Sequence, residues 1–552
     1  MVKGETPRRR GDRVPALAGF GVAAVGLVNV VSALTPDIPA RAQLLLSLAP
    51  VSALPIFHVV ALPAGVLLVV VARSLGRRRR RAWQAAVGLL AMLGALDLLK
   101  GLDVEEAVLS ITACGLLVWS RGAFYVRHDR NGLRAAAGAL GFVVAGALAA
   151  AAAVWAAAVP VDPGFGDVVR GTLGTFAGAP GPIALREGTA LLPLLLVTAA
   201  IVAAAAIVLR PLRSMPPASA AARQDARRVV FEHGRDTLAY FKLRADAQHF
   251  FSADGAAFVA YRIESGVMLV SGDPVGPREA LPGLLRELAA FAEVRDLRLG
   301  AVGASEGALV LWRALGLRGL RIGDEAMIDT AAFSVEGRRI RKVRQSVTRL
   351  ERFGFTVEVA RVSELSEPAL AELELVSERW LRGAAERGFS MALDSLRAGD
   401  TTVVVARDGA GAARGFLHFV PSADDATLSL SAMRRDPATP NGLTEFLIVQ
   451  AIETLREQGV ATLSLNFAAF ARVLHSPRGS LERLLARLLT VGDRFFQIER
   501  LYRFNAKFGP RWEPRYLVYE SSLAFVRTGL ATLWTEGQLR RPRLIRRGRH
   551  TL

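Results

Sequence analysis

Apolar residues are spread unevenly along the chain, and the change in their pattern divides it near Arg210. Before that point they form long runs at roughly 14–34, 50–72, 83–99, 104–120, 133–159 and 189–209. At 1.5 Å per residue most of these reach across a hydrocarbon core of about 30 Å, while 83–99 and 104–120 are marginal and also suit a re-entrant pair. The pattern predicts a multi-span α-helical membrane domain of about six helices over 1–210.

The loops between the runs alternate in charge. Basic residues cluster in the N-terminal tail (Arg8, Arg9, Arg10, Arg13), in the five arginines of 77–81, in 121–134 (Arg121, Arg127, Arg130, Arg134) and at Arg210 and Arg213, whereas the intervening loops carry few. The positive-inside rule then places the N-terminus and everything after Arg213 in the cytoplasm. No cleavable signal peptide is expected, because the first apolar run is long and lacks a clear cleavage site.

Residues 211–226, rich in Pro, Ala and Ser, read as a linker. From Ala226 the pattern becomes that of a mixed α/β globule: a helix with an aromatic face through VVFEHGRDTLAYFKLR, two strands joined at Glu264–Gly266, and a helix near 278–293. Further on come helical periodicity within 363–399, strands near 401–407, 413–420 and 426–433, a helix from about Leu443 to Gln458, the strand ATLSLNFAAF, and a helix in VLHSPRGSLERLLARLLTVG.

The stretch 428–466 is the first candidate for chemistry. A strand ends in Arg434, Arg435 and Asp436, a Pro/Asn/Gly turn follows, and a helix begins. A helix start offers unpaired N–H groups, and two arginines beside it can fork onto phosphate or carboxylate oxygens. Asn441 or Thr444 can cap, and Gly442 lets a ligand approach the backbone. The same residues also suit an ordinary strand-to-helix connection with solvated arginines.

Composition narrows the choices. With 52% hydrophobic residues and a mean hydropathy of +0.32, the chain is too apolar for one soluble enzyme and too charged for a pure membrane bundle. The 69 Lys and Arg against 50 Asp and Glu leave +19, which favours anionic partners, nucleic acid or an acidic membrane face, beyond what topogenic loop charges require. The single cysteine, Cys114, excludes a disulfide framework, and the scattered histidines never fall at metal-ligand spacing. No metal or cofactor is expected.

Three other motifs stand out. Gly303-Ala304-Ser305-Glu306-Gly307 fits a nucleophile elbow, for which His418 or His475 would have to serve as the base; alternatively Ser305 is a helix cap. In 337–355, Ile340, Val343, Val347, Leu350 and Phe353 follow helical spacing, while Arg338, Arg339, Arg341, Lys342, Arg344, Arg349 and Arg352 make the remainder unusually basic. Such a face is either simply solvated or holds a polyphosphate backbone or anionic headgroups. The run FFQIERLYRFNAKFGPRWEPRYLVYE interleaves aromatics with cations, as a grip on an unpaired nucleotide end does, or a core edge with snorkelling cations.

Taken together, DTLAYFKLR (236–244), VSGDPVGP (270–277), GDEAMID (323–329), the basic helix 337–355, RGFSMAL (387–393), MRRDPATPNGLTEFLIV (433–449), LSLNFAAF (463–470) and 498–520 resemble the aminoacyl-phosphatidylglycerol synthases. The likeness is closest to the actinobacterial branch of that family. It implies a tandem acetyltransferase-like (GNAT-like) fold over 227–360 and 361–525, ahead of a basic tail at 526–552. The implied reaction is transfer of an aminoacyl group, lysyl by analogy, from aminoacyl-tRNA to phosphatidylglycerol at the cytoplasmic membrane face. Such transfer needs no metal, only a base near the glycerol hydroxyl and donors for the developing oxyanion. No synthetase-like stretch accompanies the transferase motifs, so a separate aminoacyl-tRNA synthetase is expected to charge the donor.

Carried over by position, Arg434 matches the arginine of the family's Asp-x-x-Arg motif and is expected to orient lipid phosphate or the tRNA end. Lys507 matches the family's lysine and is expected to stabilise transition-state charge in the same groove. Asp324, Glu325, Asn441, Gly442, Asn466, Arg341, Lys342, Arg344, Arg503 and Arg515 are the candidates for substrate binding. One departure matters: the aspartate expected three residues before Arg434 is Ser431. Asp436 or Glu445 then substitutes, or water does, or activity is altered. Two other functions remain in view, a catalytically impaired protein that binds or flips anionic lipid and a hydrolase using Ser305.

Overall fold

The computed structural model describes residues 13–34, 54–101, 104–126, 132–159, isolated positions between 164 and 185, 192–208, 218–382, 396–424, 426–467, 483 and 495–537. By their contacts the residues form two compact units, Met1–Leu212 with Glu293–Asp296, and the remainder. His475, the RGFSMAL motif and the helix expected in VLHSPRGSLERLLARLLTVG lie outside the described residues.

In the first unit each apolar run is helical: α1 Val14–Leu34, α2 Leu54–Leu75, α3 Arg80–Gly101, α4 Val104–Trp119, α5 Gly132–Ala157 and α6 Leu192–Val208. Among the described residues two contain a stretch long and apolar enough to cross a membrane, Val14–Val31 and Gly138–Ala156, where six spans were expected. The 16 residues of α4 cover about 24 Å, short of a full crossing. Leu17, Phe20, Leu27, Leu140, Phe142, Leu148 and Trp155 point outward and are exposed, the reverse of a water-facing helix. Helices α1 and α2 approach so closely that a Cβ on Gly26 or Gly65 would stand 2.9 Å from the other's carbonyl oxygen, the small-residue contact by which helices pack in lipid. Asp97 on α3 is buried and accepts a hydrogen bond from Ser110 on α4.

The second unit is built on one sheet of eleven strands. In chain order these are β1 Gln248–Phe251, β2 Phe258–Glu264, β3 Val267–Ser271, β4 Arg298–Ser305, β5 Arg318–Asp329, β6 Thr356–Arg361, β7 Thr402–Arg407, β8 Ala413–Pro421, β9 Thr427–Arg435, β10 Thr462–Phe467 and β11 Arg511–Tyr519. They lie in the order β1-β2-β3-β4-β11-β5-β10-β9-β8-β7-β6. All neighbours run antiparallel except β3–β4 and β9–β10. Antiparallel strands leading into one parallel pair therefore occur twice. The two stretches interlock, because β11 from the C-terminal end enters between β4 and β5.

Helices cover both faces. α7 (Ala220–His233), α8 (Leu281–Val294), α9 (Leu309–Ala314), α10 (Arg341–Arg352), α11 (Glu367–Leu381), α12 (Leu443–Glu457), α13 (Phe495–Asn505) and α14 (Ser522–Thr535) complete the order. One core gathers Val343, Val347 and Leu350 of α10 with Leu443, Phe446 and Leu447 of α12 and Leu417, Phe419, Leu428 and Leu430 of the sheet. The opposite face carries α11, whose Leu370, Leu373 and Val376 meet Val403, Val405 and Phe416.

Several expectations shift. Helix α7 begins at Ala220, inside the presumed linker, where the Ser219 hydroxyl caps the Ala222 amide. It stops at His233 and Gly234, so Tyr240–Leu243 forms a separate 3-10 turn rather than a continued helix. Phe353 falls just past the end of α10 and is 57% exposed instead of joining its apolar face. The presumed basic tail opens with α14, which buries Phe525, Ala531 and Leu533 in the core.

Candidate active site at the second strand fork

The parallel ladder between β9 and β10 ends at Ser429–Ser464, and beyond it the strands part. Two irregularities create this fork. On β10 the register to β5 slips between Ser464 and Phe467, with Asn466 held at φ +64°. On β9 Leu430 faces Phe419 and Ala432 faces His418, so Ser431 is the extra residue of a bulge. Bulges re-aim the side chains after them, and here those are Met433, Arg434 and Arg435. Asn466 ties the fork together: its Nδ2 donates to the Leu430 carbonyl at 3.0 Å and its Oδ1 accepts from the Phe467 amide.

Register divides the candidates between the two faces of β9, contrary to the single groove expected. Arg434 lies opposite Phe416 and therefore shares a face with Phe416 and His418, under α11. His418 is buried, with Nε2 at 2.8 Å from the Thr401 hydroxyl. Burial, aided by the Arg434 charge, pushes its pKa down to about 4, so its ring is neutral. Met433 points the other way, into the core shared with α12, Phe504 and Trp512.

On that second face stands the pair Glu445–Lys507, at 2.7 Å. Glu445 is in the first turn of α12, where a carboxylate complements the helix dipole. The Lys507 ammonium also lies 5.0 Å from the Phe504 ring centroid and remains 43% exposed. The turn that starts α12 needs Gly442: φ is +98°, and a Cβ there would meet the Ser346 Cβ at 2.7 Å. Arg349 on α10 donates to the Asn441 carbonyl, so the basic helix braces this turn.

Asp436 is not a candidate base in this arrangement. It is 7% exposed, receives the Ala438 amide, and is paired with Arg379 at 2.8 Å and Arg414 at 3.7 Å. The amide bond first, then Arg379 and Arg414 against the opposing effect of burial, hold its pKa below the usual carboxylate range. It anchors α11 to the end of β9.

Arg515 and Glu325 are likewise scaffold rather than substrate contacts. They belong to a first fork, where the β3–β4 ladder ends at Ser271–Val302 and Gly303, at φ +79°, is the extra residue against β11. Arg515 is 3% exposed in its side chain and donates to Glu325 at 2.7 Å, to Asp236 and Thr237 at 2.7 Å, and to the Gly303 carbonyl at 3.2 Å. Burial opposes its charge, but Asp236, Glu325 and Asp273 outweigh that and raise its pKa. Lys242, fully buried nearby, donates to the Leu238 carbonyl, and burial lowers its pKa against the pull of Asp236 and Asp273. Glu325 also accepts from Ser464, whose hydroxyl receives the Asn466 amide at 3.0 Å. One hydrogen-bonded chain thus runs from Arg515 to Asn466 and joins the two forks.

The remaining candidates are peripheral. Asp324 pairs with Arg321, and Arg344 donates to the Val335 carbonyl. Arg341, Lys342 and Arg503 are exposed. His418 cannot serve Ser305 as a base: Ser305 ends β4 and His418 lies on β8, five strand steps away, roughly 24 Å, while His475 lies outside the described residues. The Ser305 hydroxyl caps the Ala308 amide instead. Residues that sequence reading passed over are Arg349 and Asp236. Arg349 was counted only as part of a basic face, and nothing in local sequence marks Asp236 as the partner of an arginine near the other end of the chain.

Comparison with known proteins agrees with this fold. Residues 227–519 match the family described as "Phosphatidylglycerol lysyltransferase, C-terminal". The "Lysylphosphatidylglycerol biosynthesis bifunctional protein LysX" of Rhodococcus jostii (strain RHA1) is 31% identical over 522 residues, covering 88% of this chain and 45% of that protein. Its namesake from Mycobacterium sp. (strain JLS) is 31% identical over 599 residues, 99% of this chain and 52% of that protein. The chain therefore spans about half the length of the curated relatives it matches. Among solved structures, L-PGS from Bacillus licheniformis superposes with a TM-score of 0.53 at 22% identity, over 59% of this chain and 98% of that one, which shows a shared α/β fold. With a family match over residues 227–519, more than half of its length, the chain belongs to the phosphatidylglycerol lysyltransferase C-terminal family.

Proposed function

We propose that this protein transfers a lysyl group from the 3′ end of charged tRNA to a hydroxyl of phosphatidylglycerol, at the cytoplasmic face of a membrane it spans several times. The observation that carries this reading is the family match over 227–519 together with relatives named for lysylphosphatidylglycerol biosynthesis. The basic loops that alternate between the apolar runs support the orientation, and the outward-facing apolar side chains of α1 and α5 support membrane residence.

In this reading a glycerol hydroxyl attacks the carbonyl carbon of the aminoacyl ester. A new C–O bond forms, the bond to the ribose oxygen breaks, and the hydroxyl proton passes to that ribose oxygen. Lys507, held by Glu445, stabilises the oxyanion that develops on the carbonyl. Arg434, on the other face of β9, binds a phosphate, so the two anionic substrates approach the fork from opposite faces and meet where β9 and β10 part. Glu445, paired with Lys507, supplies the carboxylate of this face, Ser431 standing where the family has an aspartate.

Thin-layer analysis of lipids from an expressing host tests this: a ninhydrin-positive, less anionic phosphatidylglycerol derivative is expected, and RNase should abolish its formation in a cell-free assay. Product formed from free lysine and ATP without tRNA would refute the mechanism. Ser431 in the bulge and Asp436 locked in ion pairs favour one second reading, a catalytically impaired protein that binds or flips anionic lipid. That reading requires lipid redistribution to survive Arg434→Ala and Lys507→Ala with no aminoacyl lipid made by the unsubstituted protein.

A further inference from the structure

Leu465 of β10 stands outside the ladders on both of its sides. The parallel pairing with β9 stops one residue earlier, at Ser464, and the register to β5 slips between Ser464 and Phe467. A buried backbone carbonyl removed from its ladder needs a donor from elsewhere. Here the donor is Asn505, whose Nδ2 reaches the Leu465 carbonyl at 3.3 Å across 40 positions of chain. Asn505 is 2% exposed and is the last residue of α13. An asparagine at a helix end commonly turns its side chain onto nearby backbone, but this one does not cap the 3-10 turn that follows.

That turn, Ala506–Phe508, carries Lys507. Phe508 is buried in the core and meets the Phe504 ring edge-on, with centroids 5.5 Å apart. Apolar packing sets how deep the turn sits, yet it is non-directional and does little to fix the turn's position along β10. The Asn505 bond is directional and does fix it. The residues on either side of Leu465 make the complementary ties. The Ser464 hydroxyl donates to Glu325 on β5, and the Asn466 side chain donates to Leu430 on β9, beside the Ser431 bulge. Three successive residues of β10 thus hold β5, α13 and β9.

We propose that Asn505 is a positioning residue of the candidate site, holding the Lys507 turn in register with the fork so that Lys507 and Glu445 meet where the oxyanion forms. The catalytic consequence rests on the function proposed above, and the mechanical one does not. Without the Asn505 amide the turn slides on its apolar seat and Lys507 leaves the reacting carbonyl, while substrate binding is unaffected.

The test uses the full chain in lipid nanodiscs. Asn505→Leu keeps size and burial but has no donor, and Asn505→Asp can donate to a carbonyl only while its carboxyl is protonated. For Asn505→Leu the expected result is a kcat lower by about 10–10²-fold, with KM for lysyl-tRNA and for phosphatidylglycerol within about twofold of the original. In a Lys507→Ala background the same substitution should change kcat by less than about twofold, because its effect passes through Lys507. Relative to the unsubstituted protein, Asn505→Asp should regain turnover as pH falls from about 8 to about 6, since burial raises a carboxyl pKa. That profile carries the test if the leucine variant does not fold. Unchanged kcat, a loss confined to either KM, an equal loss in both backgrounds, or an aspartate variant with the original pH profile overturns the proposal. Amide hydrogen exchange needs no turnover: Asn505→Leu should speed it about tenfold over 505–509, and unchanged exchange there overturns the mechanical claim. Should the unsubstituted protein make no aminoacyl lipid, the transferase reading falls, while exchange still decides whether Asn505 holds the turn.

Discussion

At the first fork of the sheet, Gly303 bulges where β3 and β4 part; at the second, Asn466 bulges where β9 and β10 part. The backbone plan is the same and the filling is not. Arg515 and Lys242 at the first fork are sunk among Asp236, Glu325 and Asp273, and every strong donor of Arg515 is taken. Around the second fork, Lys507 keeps 43% of its side-chain surface in solvent with one carboxylate partner. A cation whose donors are saturated inside the protein can only hold strands together, whereas one paired once at the surface can exchange its partner for a developing charge. The same backbone plan, used twice in one sheet, thus leaves one fork as scaffold and the other as the candidate site.

Removing the buried cation should give the largest effect. Arg515→Leu leaves the Glu325 and Asp236 carboxylates without their paired cation and is expected to cost about 3–5 kcal/mol, visible as a large drop in thermal unfolding temperature. If Arg515→Leu melts like the original protein, the first fork is not a scaffold and the contrast collapses. Lys507→Ala should do the opposite: stability within about 1 kcal/mol of the original, because exposed pairs contribute little. Turnover of the proposed transfer should nevertheless fall about 10²–10³-fold, the loss typical of one oxyanion donor.

Much of this contrast was legible in the sequence, and the part that was not has a physical reason. The apolar runs and the α10 and α12 helices announce themselves by periodicity, since Val343, Val347 and Leu350 must lie on one face to be buried. Arg434 and Lys507 were singled out by resemblance to a family's motifs, and Gly442 by the turn it stands in. Arg515, Glu325 and Asn466 were found too, yet given the wrong work, because a motif records that a residue is present and not how many partners it has. Their role depends on β11 entering between β4 and β5, a pairing of residues about 190 positions apart that no local pattern encodes. The strands β1, β5, β6 and β11 escaped for a related reason: they are short, or polar on one side, and become strands only by docking on a neighbour.

A smaller effect is expected at the turn before α12. Gly442→Ala puts a Cβ into a backbone at φ +98° and against Ser346, at an expected cost of about 1–3 kcal/mol. The strain should displace Glu445 and hence Lys507, so activity falls further than stability alone explains. Comparing turnover with denaturant midpoint for this variant distinguishes a turn that positions the pair from one that merely connects.

The finest distinction is in the pH dependence of stability, where the two forks should tilt in opposite directions. His418, near the second fork, has its pKa lowered by burial from 6.5 to about 4. The unfolded chain therefore binds a proton that the folded one refuses, and stability present above pH 6.5 is lost as pH falls toward 4. His418→Asn should flatten that limb of a melting-temperature profile. Asp273, at the first fork, has its pKa raised from 3.8 to about 6 by burial and then by Asp236, with Arg515 and the Ser305 amide opposing. Here the folded state holds the proton longer, so the contribution is complete below pH 3.8 and is lost as pH rises through about 6. Asp273→Asn keeps an oxygen for the Ser305 amide and removes the charge, so it should raise stability at pH 7 relative to pH 4. The change should be the smallest of the five, because part of the Asp273 surface reaches solvent. A fall in stability at pH 7 would mean that the ionised carboxylate is needed to neutralise Arg515 and Lys242, and the first fork would then be held by balanced charge rather than by an excess of it.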